Sequence, residues 1–341
     1  MKTIKRVFAA LLIVAVLGAV SGCSDDRKLD GALNAMDTYM TFTLYGKNAE
    51  KALSDIKSLI QDCETRWSVT IEDSEISRLN REESASVSST TAELLKLAKQ
   101  YSTYTNGCFD PTVYPLVSAW GFTANGENRV PDADEIAQLK ALVGVEKLNL
   151  NGNQAVLAEG TMVDLGGIAK GYAGDLCIAS LKQNGIKSAI IRLGGNIQTL
   201  GYKPDGSSWR IGIQSPCSND MIGIVSVYDK CVITSGAYER FFTDEGGTRY
   251  GHIISPFTGY PADNGLLSVT VICETGSFGD ALSTALFVMG TEAAIDFWKS
   301  HEGFEVVFFA DDGTLYVSEG IFPSFTETES KDVKTICEIK R

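Results

Sequence analysis

Basic residues, histidine, proline and long apolar runs are all scarce in this chain of 341 residues. Lys and Arg number 30 against 43 Asp and Glu, a formal net charge of −13. Lys2, Lys5 and Arg6 fall in the first 23 residues, and removing those three charges leaves the remainder at −16. A surface that acidic excludes nucleic acid as a partner and excludes electrostatic docking on anionic lipid. It leaves a phosphate ligand open, because helix amides and a metal can hold phosphate without net positive charge. The two histidines, His252 and His301, allow no zinc-type ligand spacing and no Ser/His/Asp arrangement. There is no CxxC pair, which removes the usual redox and metal-cluster signatures. Internal repeats and low-complexity tracts are also missing.

The apolar run that does exist is N-terminal. Lys2, Lys5 and Arg6 precede Val7 to Val20, which is short for a membrane span, and "VSGC" follows, ending at Cys23. A basic start, an apolar stretch and small residues before a cysteine describe an export signal of the bacterial lipoprotein kind. The expectation is a signal peptide over 1–22, a lipidated Cys23 with a polar tether over 23–35, a catalytic domain over 36–325 and a loosely ordered polar tail over 326–341. Such a protein is exported and held at the extracytoplasmic face of the membrane by its lipid. Seven further cysteines remain, an odd number, and buried unpaired thiols suit them best.

Periodicity fills in the domain. "TYMTFTLYG" (38–46) alternates like a strand, and Ala52, Leu53, Ile56, Leu59, Ile60 and Cys63 recur at helical spacing. A helix is predicted from about Thr91 to Tyr104, with Thr90 and Glu93 as its capping box. "WRIGIQ" (209–214), "IGIVSVY" (222–228) and "LLSVTVIC" (266–273) read as strands, and "EVVFFADDGTLYVSEG" as a hairpin turning at Asp312-Gly313. Strands in runs with interspersed helices predict an α+β or mixed α/β fold around one core, a single large domain in one or two lobes.

Four stretches can carry chemistry. In "DLGGIAKGYAGD" (164–175) a Gly166-Gly167 turn leads into a helix near Ile168, with Lys170 in its first turn and Asp164 just before it. Free amides and a lysine there suit an anion, while an ordinary strand–turn–helix with a solvated lysine reads the same way. Asp164 beside an anion points to a sugar hydroxyl, an adenine or a cation. In "FGDALSTALFVMG" (278–290), Asp280 and Thr284 are one helical turn apart and can share a hard cation such as Mg²⁺, or can serve helix capping and a backbone bond. "YGHIISPFTGYP" (250–261) puts His252 where a strand enters a loop. "NGCFDPTVYPLVSAWGF" (106–122) gathers aromatics, prolines and Asp110, suited to a ring-binding pocket or to plain core.

Together with "SEISRLN" (74–80), "RLGGNIQTLG" (192–201) and "TSGAYERFF" (234–242), these blocks in this order resemble the FAD:protein FMN transferase family, the ApbE type of bacterial lipoprotein. The resemblance implies an ApbE-like flavin transferase fold. It also implies Mg²⁺-dependent transfer of the FMN half of FAD to a threonine hydroxyl of an acceptor protein, with release of AMP. Acceptors in that family are extracytoplasmic redox-complex subunits and related flavoproteins. By position, Asp280, Thr284 and the Gly167 carbonyl match metal ligands. Met36, Cys108, Phe109, Asp110, Asp164, Lys170 and Ile254 match FAD-contacting positions, and His252 matches an active-site histidine. The chain departs from the pattern at Asp37, where glycine is usual, and at Ser255, where an acidic or amide residue is common. The alternatives are an FAD pyrophosphatase that splits FAD into FMN and AMP with water, and a flavin-binding lipoprotein without turnover.

Overall fold

The computed structural model describes residues 27–123 and 126–341; the signal peptide, Cys23 and the first part of the expected tether lie outside the described residues. The frame is a sheet of nine strands: β1 (Lys28–Ala35), β2 (Thr38–Tyr45), β3 (Ser188–Leu193), β4 (Asn196–Leu200), β5 (Cys231–Gly236), β6 (Leu266–Cys273), β7 (Phe304–Ala310), β8 (Thr314–Ser318) and β9 (Thr335–Ile339). Their order across the sheet is their order in the chain. Each neighbouring pair is antiparallel except the last, β8 with β9, which is parallel. Among the described residues, long insertions between successive strands carry eight helices: α1 (Ala49–Trp67), α2 (Glu75–Glu82), α3 (Ser89–Tyr104), α4 (Tyr114–Ala119), α5 (Ala133–Lys140), α6 (Ala169–Gln183), α7 (Gly276–Met289) and α8 (Thr291–Ser300). The mixed α/β expectation is met.

Both faces of the sheet are covered, which is why its central strands are nearly all apolar. In β6, Val269, Val271 and Cys273 pack under α7 and α8, while Ile272 faces the other way. That other face is closed by a small sheet of Trp209–Gln214, Met221–Val227 and Phe325–Thr326. On the helix face one apolar cluster lies beneath α1, α2, α3 and α6 and a second beneath α7 and α8; Cys108 and Met289 touch both. Among the described residues no helix is long and apolar enough to cross a membrane.

Three expectations change. The tether does not run to residue 35, because Lys28–Ala35 pairs with β2 along its whole length. Leu29, Gly31, Leu33 and Ala35 turn inward in alternation, and Gly31 lets the Leu53 side chain sit where a Cβ would be, 2.6 Å away. The tail over 326–341 is not loose, because Thr335–Ile339 adds the ninth strand and Ile339 is buried in the second cluster. Its polar letters are those of an edge strand with one buried face. The helix expected from Thr91 begins at Ser89: Ser88 Oγ caps it by accepting from the Thr91 amide, and Glu75 Oε2 accepts from the Ser88 amide. In a run of Ser and Thr that can all cap, the carboxylate from α2 selects the residue used.

Candidate active site

A cleft of about 750 Å³ opens between the N-terminal ends of α6 and α7, the β1–β2 turn and the loop after β5. Its floor is the crossing of α6 and α7. Gly171 permits that approach, since a Cβ there would stand 2.1 Å from the Gly276 carbonyl oxygen. Neither helix has a side-chain cap from its own N-terminal residue, so each takes one from the other. Asp280 Oδ2 on α7 accepts the Gly171 amide at 2.8 Å. Asp175 on α6 accepts the Gly276 and Ser277 amides at 2.5 and 2.8 Å. Gln198 from β4 donates to the Gly171 carbonyl at 2.9 Å and braces the crossing from below.

On this floor Asp280 is 4% exposed. Thr284 Oγ1 donates back to the Asp280 carbonyl at 3.3 Å, leaving its lone pairs for another partner. The Gly167 backbone comes close, for a Cβ built there would lie 3.4 Å from Thr284 Oγ1 and 3.2 Å from the Phe109 ring. The capping and backbone-bond reading of Asp280 and Thr284 is partly realised: the carboxylate caps a helix, though not its own, and the hydroxyl bonds backward. A carboxylate, a hydroxyl and a glycine backbone converge, and the donors are oxygens of the kind a hard cation takes. Among the described residues no three His, Cys, Asp or Glu side chains gather as a metal site. A cation here therefore needs ligand oxygens from water or substrate as well.

One wall is the Asp164–Lys170 turn. Asp164 Oδ1 accepts the Gly166 amide at 2.8 Å, and Lys170 Nζ donates to the Gly166 carbonyl at 3.2 Å. Desolvation pushes the Asp164 carboxyl up from its ordinary value, opposed by the Gly166 amide and the charges of Lys170 and Arg240. Met36 lies in the two-residue β1–β2 turn, with φ 51° at Met36 and 57° at Asp37, and its amide donates to Glu64 Oε1 at 2.7 Å. That turn geometry favours glycine at its second residue, which accounts for Asp37 as a departure.

The opposite wall holds His252. Its Nδ1 lies 3.2 Å from the Arg240 carbonyl oxygen, and with a proton on Nδ1 the Nε2 lone pair is free. Desolvation first, then the Arg240 and Lys170 charges, lower the imidazole pKa to about 4, so it is neutral at physiological pH. Ile254 is buried in a mini-core with Leu116, Trp120 and Ile136 and also borders the cleft. Trp120 Nε1 donates to the Gly259 carbonyl at 2.8 Å, tying the aromatic block to the loop after His252. Trp120 is core, whereas Tyr114 and Phe122 reach the cleft.

Every described residue that the sequence nominated borders this cleft: Met36, Cys108, Phe109 and Asp110, then Asp164, Gly167 and Lys170, and finally His252, Ile254, Asp280 and Thr284. Cys23 lies outside the described residues. Asp110 borders it with both carboxylate oxygens engaged locally, Oδ1 accepting from the Thr112 amide and hydroxyl and Oδ2 from the Val145 amide. Burial pushes the Cys108 thiol up to about 11, so it meets the cleft as a neutral apolar group. Sequence reasoning missed Glu239, Arg240, Arg192 and Asp37, which also line the cleft. Glu239 opens onto the cleft, yet desolvation and the Asp280 charge hold its carboxyl above the ordinary value. Arg240 pairs with Asp37 at 3.4 Å across the mouth. The signal was a pair of charges, "ER", in a quoted motif from which no charged residue was nominated.

Comparison with known proteins is consistent along the chain. Residues 36–308 match the ApbE family model. The chain is 28% identical over 345 residues to the FAD:protein FMN transferase of Haemophilus influenzae, covering 95% of this chain and 99% of that one. It is 35% identical over 246 residues to the Vibrio cholerae FAD:protein FMN transferase, covering 70% and 73%. The crystal structure of the ApbE protein from Thermotoga maritima superposes with a TM-score of 0.82 at 32% identity, over 89% of this chain and all of that one.

Proposed function

The chain belongs to the ApbE family, and from that membership we propose that it acts as an FAD:protein FMN transferase, with a threonine hydroxyl as acceptor and Mg²⁺ as its metal. The observation that carries this reading is the convergence of Asp280, Thr284 and the Gly167 backbone beside Asp164, Lys170 and His252 in one cleft.

FAD is a pyrophosphate, and attack by an alkoxide at the FMN-side phosphorus releases AMP. Such a phosphoryl transfer depends on positioning and charge neutralisation more than on covalent catalysis. Asp280, Thr284 and Gly167 would hold Mg²⁺, which supplies charge neutralisation at the phosphate oxygens. Lys170 and Arg240 bring positive charge to the same cleft of an otherwise acidic protein, and the α6 N-terminus adds its dipole. His252, neutral and anchored through Nδ1, offers Nε2 as acceptor of the threonine proton. Asp164 faces the ligand beside Lys170, suited to a ribose or ribityl hydroxyl. Export and lipid attachment at Cys23 belong to the same proposal and rest on the N-terminal sequence.

The test is incubation of the purified chain with FAD and a threonine-bearing acceptor domain, followed by in-gel flavin fluorescence with and without Mg²⁺. Covalent fluorescence on the acceptor, lost with EDTA and with Asp280→Asn, is expected. Free FMN and AMP with an unlabelled acceptor would replace the transferase reading with the hydrolase one.

A further inference from the structure

The cysteines among the described residues are free thiols in the structure, and the fold sets two of them face to face. Cys231 opens β5, Cys273 closes β6, and the antiparallel register pairs them directly. They are 3% and 1% exposed. The two side chains neighbour each other across the ladder. Each also reaches a backbone carbonyl, Cys231 Sγ that of Glu274 at 3.6 Å and Cys273 Sγ that of Thr275 at 3.1 Å. Directly opposed residues of an antiparallel ladder have Cα atoms about 4.5–5.5 Å apart, inside the range of about 4.4–6.8 Å that a disulfide spans. Bridging them therefore asks for side-chain rotation and leaves the backbone where it is.

The position gives the bond a consequence. Beyond Cys273, Glu274 and Thr275 lead straight into α7, whose first turn is held by Asp175 and which carries Asp280. Cys273 Sγ also lies 2.7 Å from where a Cβ would stand on Gly279, one residue before Asp280.

We propose that Cys231 and Cys273 close into a cross-strand disulfide when the chain folds in an oxidising medium, stapling β5 to β6 at the entrance to α7. With glutathione disulfide as oxidant, the first cysteine thiolate attacks it, forms a mixed disulfide and expels one glutathione thiolate. The second cysteine thiolate attacks the protein sulfur of that mixed disulfide and expels the other glutathione. Two electrons pass from the pair to glutathione disulfide, and the two protons end on the glutathione thiols. Burial sets the timing, because no oxidant reaches either sulfur in the folded chain; the bond forms before the sheet closes over it. Cys63 on α1 and Cys177 on α6 are also buried, but they lie on separate helices with no register pairing them.

The experiment refolds the denatured, reduced full chain in glutathione buffers spanning reducing to oxidising poise, alkylates, and maps peptides without reduction. The expected result is one disulfide joining the Cys231 and Cys273 peptides, with the other described cysteines alkylated. The oxidised protein should melt roughly 5 °C above protein refolded under dithiothreitol. Cys231→Ala should abolish both the linked peptide and the redox dependence of melting. If that variant fails to fold, the wild-type oxidised and reduced samples decide alone. Alkylation of both cysteines at every poise, or a bridge elsewhere such as Cys63–Cys177, overturns the proposal.

Discussion

Asp175 and Asp280 each cap the helix that carries the other. Asp175, in α6, accepts two amides of the first turn of α7, and Asp280, in α7, accepts one amide of the first turn of α6. Two helices that meet at their N-termini present unpaired amides and like dipole ends to each other, and a carboxylate at each junction relieves both problems. The same arrangement leaves Asp280 half committed to the fold and half available to the cleft.

That division separates two substitutions at one position. Asp280→Asn keeps an oxygen for the Gly171 amide and removes the charge; Asp280→Ala removes both. The asparagine variant is expected to melt near wild type while transfer falls by about two to three orders of magnitude. The alanine variant should lose similar activity and about 1–3 kcal/mol of stability. Thermal melts beside transfer assays check this, and an asparagine variant as unstable as the alanine one would make the carboxylate chiefly structural.

Gly171 fixes the distance between the helices. A methyl group there meets the Gly276 carbonyl at 2.1 Å and Asp280 Cβ at 2.7 Å, and backbone cannot swing aside as a side chain can. Gly171→Ala is expected to destabilise by about 2–4 kcal/mol, measured by denaturant unfolding, with transfer lost in the fraction that folds.

His252 sets a pH dependence with a definite sign. Its folded pKa, about 4, lies below the 6.5 of an unperturbed imidazole, so the unfolded chain takes the proton first. Its contribution to stability is complete above pH 6.5 and is lost as pH falls from 6.5 toward 4. Melting of wild type against His252→Gln across that range should show the gap moving against wild type on acidification. For the reaction, kcat/KM of wild type is expected to hold level well below pH 6.5 before its acid limb.

Asp37 holds a left-handed turn position, φ 57°, in exchange for an exposed ion pair with Arg240. Exposed pairs contribute about 0–1 kcal/mol, and glycine meets that conformation without strain. Asp37→Gly should therefore melt at or slightly above the wild-type temperature. A drop of several degrees would mean the Arg240 pair outweighs the turn.

Removal of residues 327–341 strips β9 and exposes the whole edge of β8. The shortened chain should melt lower and aggregate more readily than full length, observed by light scattering on heating. Unchanged melting would return the tail to the loose segment its composition suggested.

How much was legible follows from range. The strands at 209–214 and 266–273 match their predicted bounds, because alternation and β-branched runs are properties of adjacent residues. The ordered motifs and the family they resemble nominated residues that, where described, all border the cleft. What adjacent residues do not encode is which partner a group finds far along the chain. Asp110 looks like a ligand in sequence, and its carboxylate closes on Thr112 and Val145. Glu239 and Arg240 carry no local signal that sets them apart, and both line the cleft. The tail looks like a loose end, and register with β8 makes it a strand. The amino-acid sequence by itself determined most of the internal elements and much of the composition of the site. Tertiary structure alone decided that Gly171 and Asp280, 109 residues apart, would meet, because that depends on two helix ends approaching until only glycine fits between them.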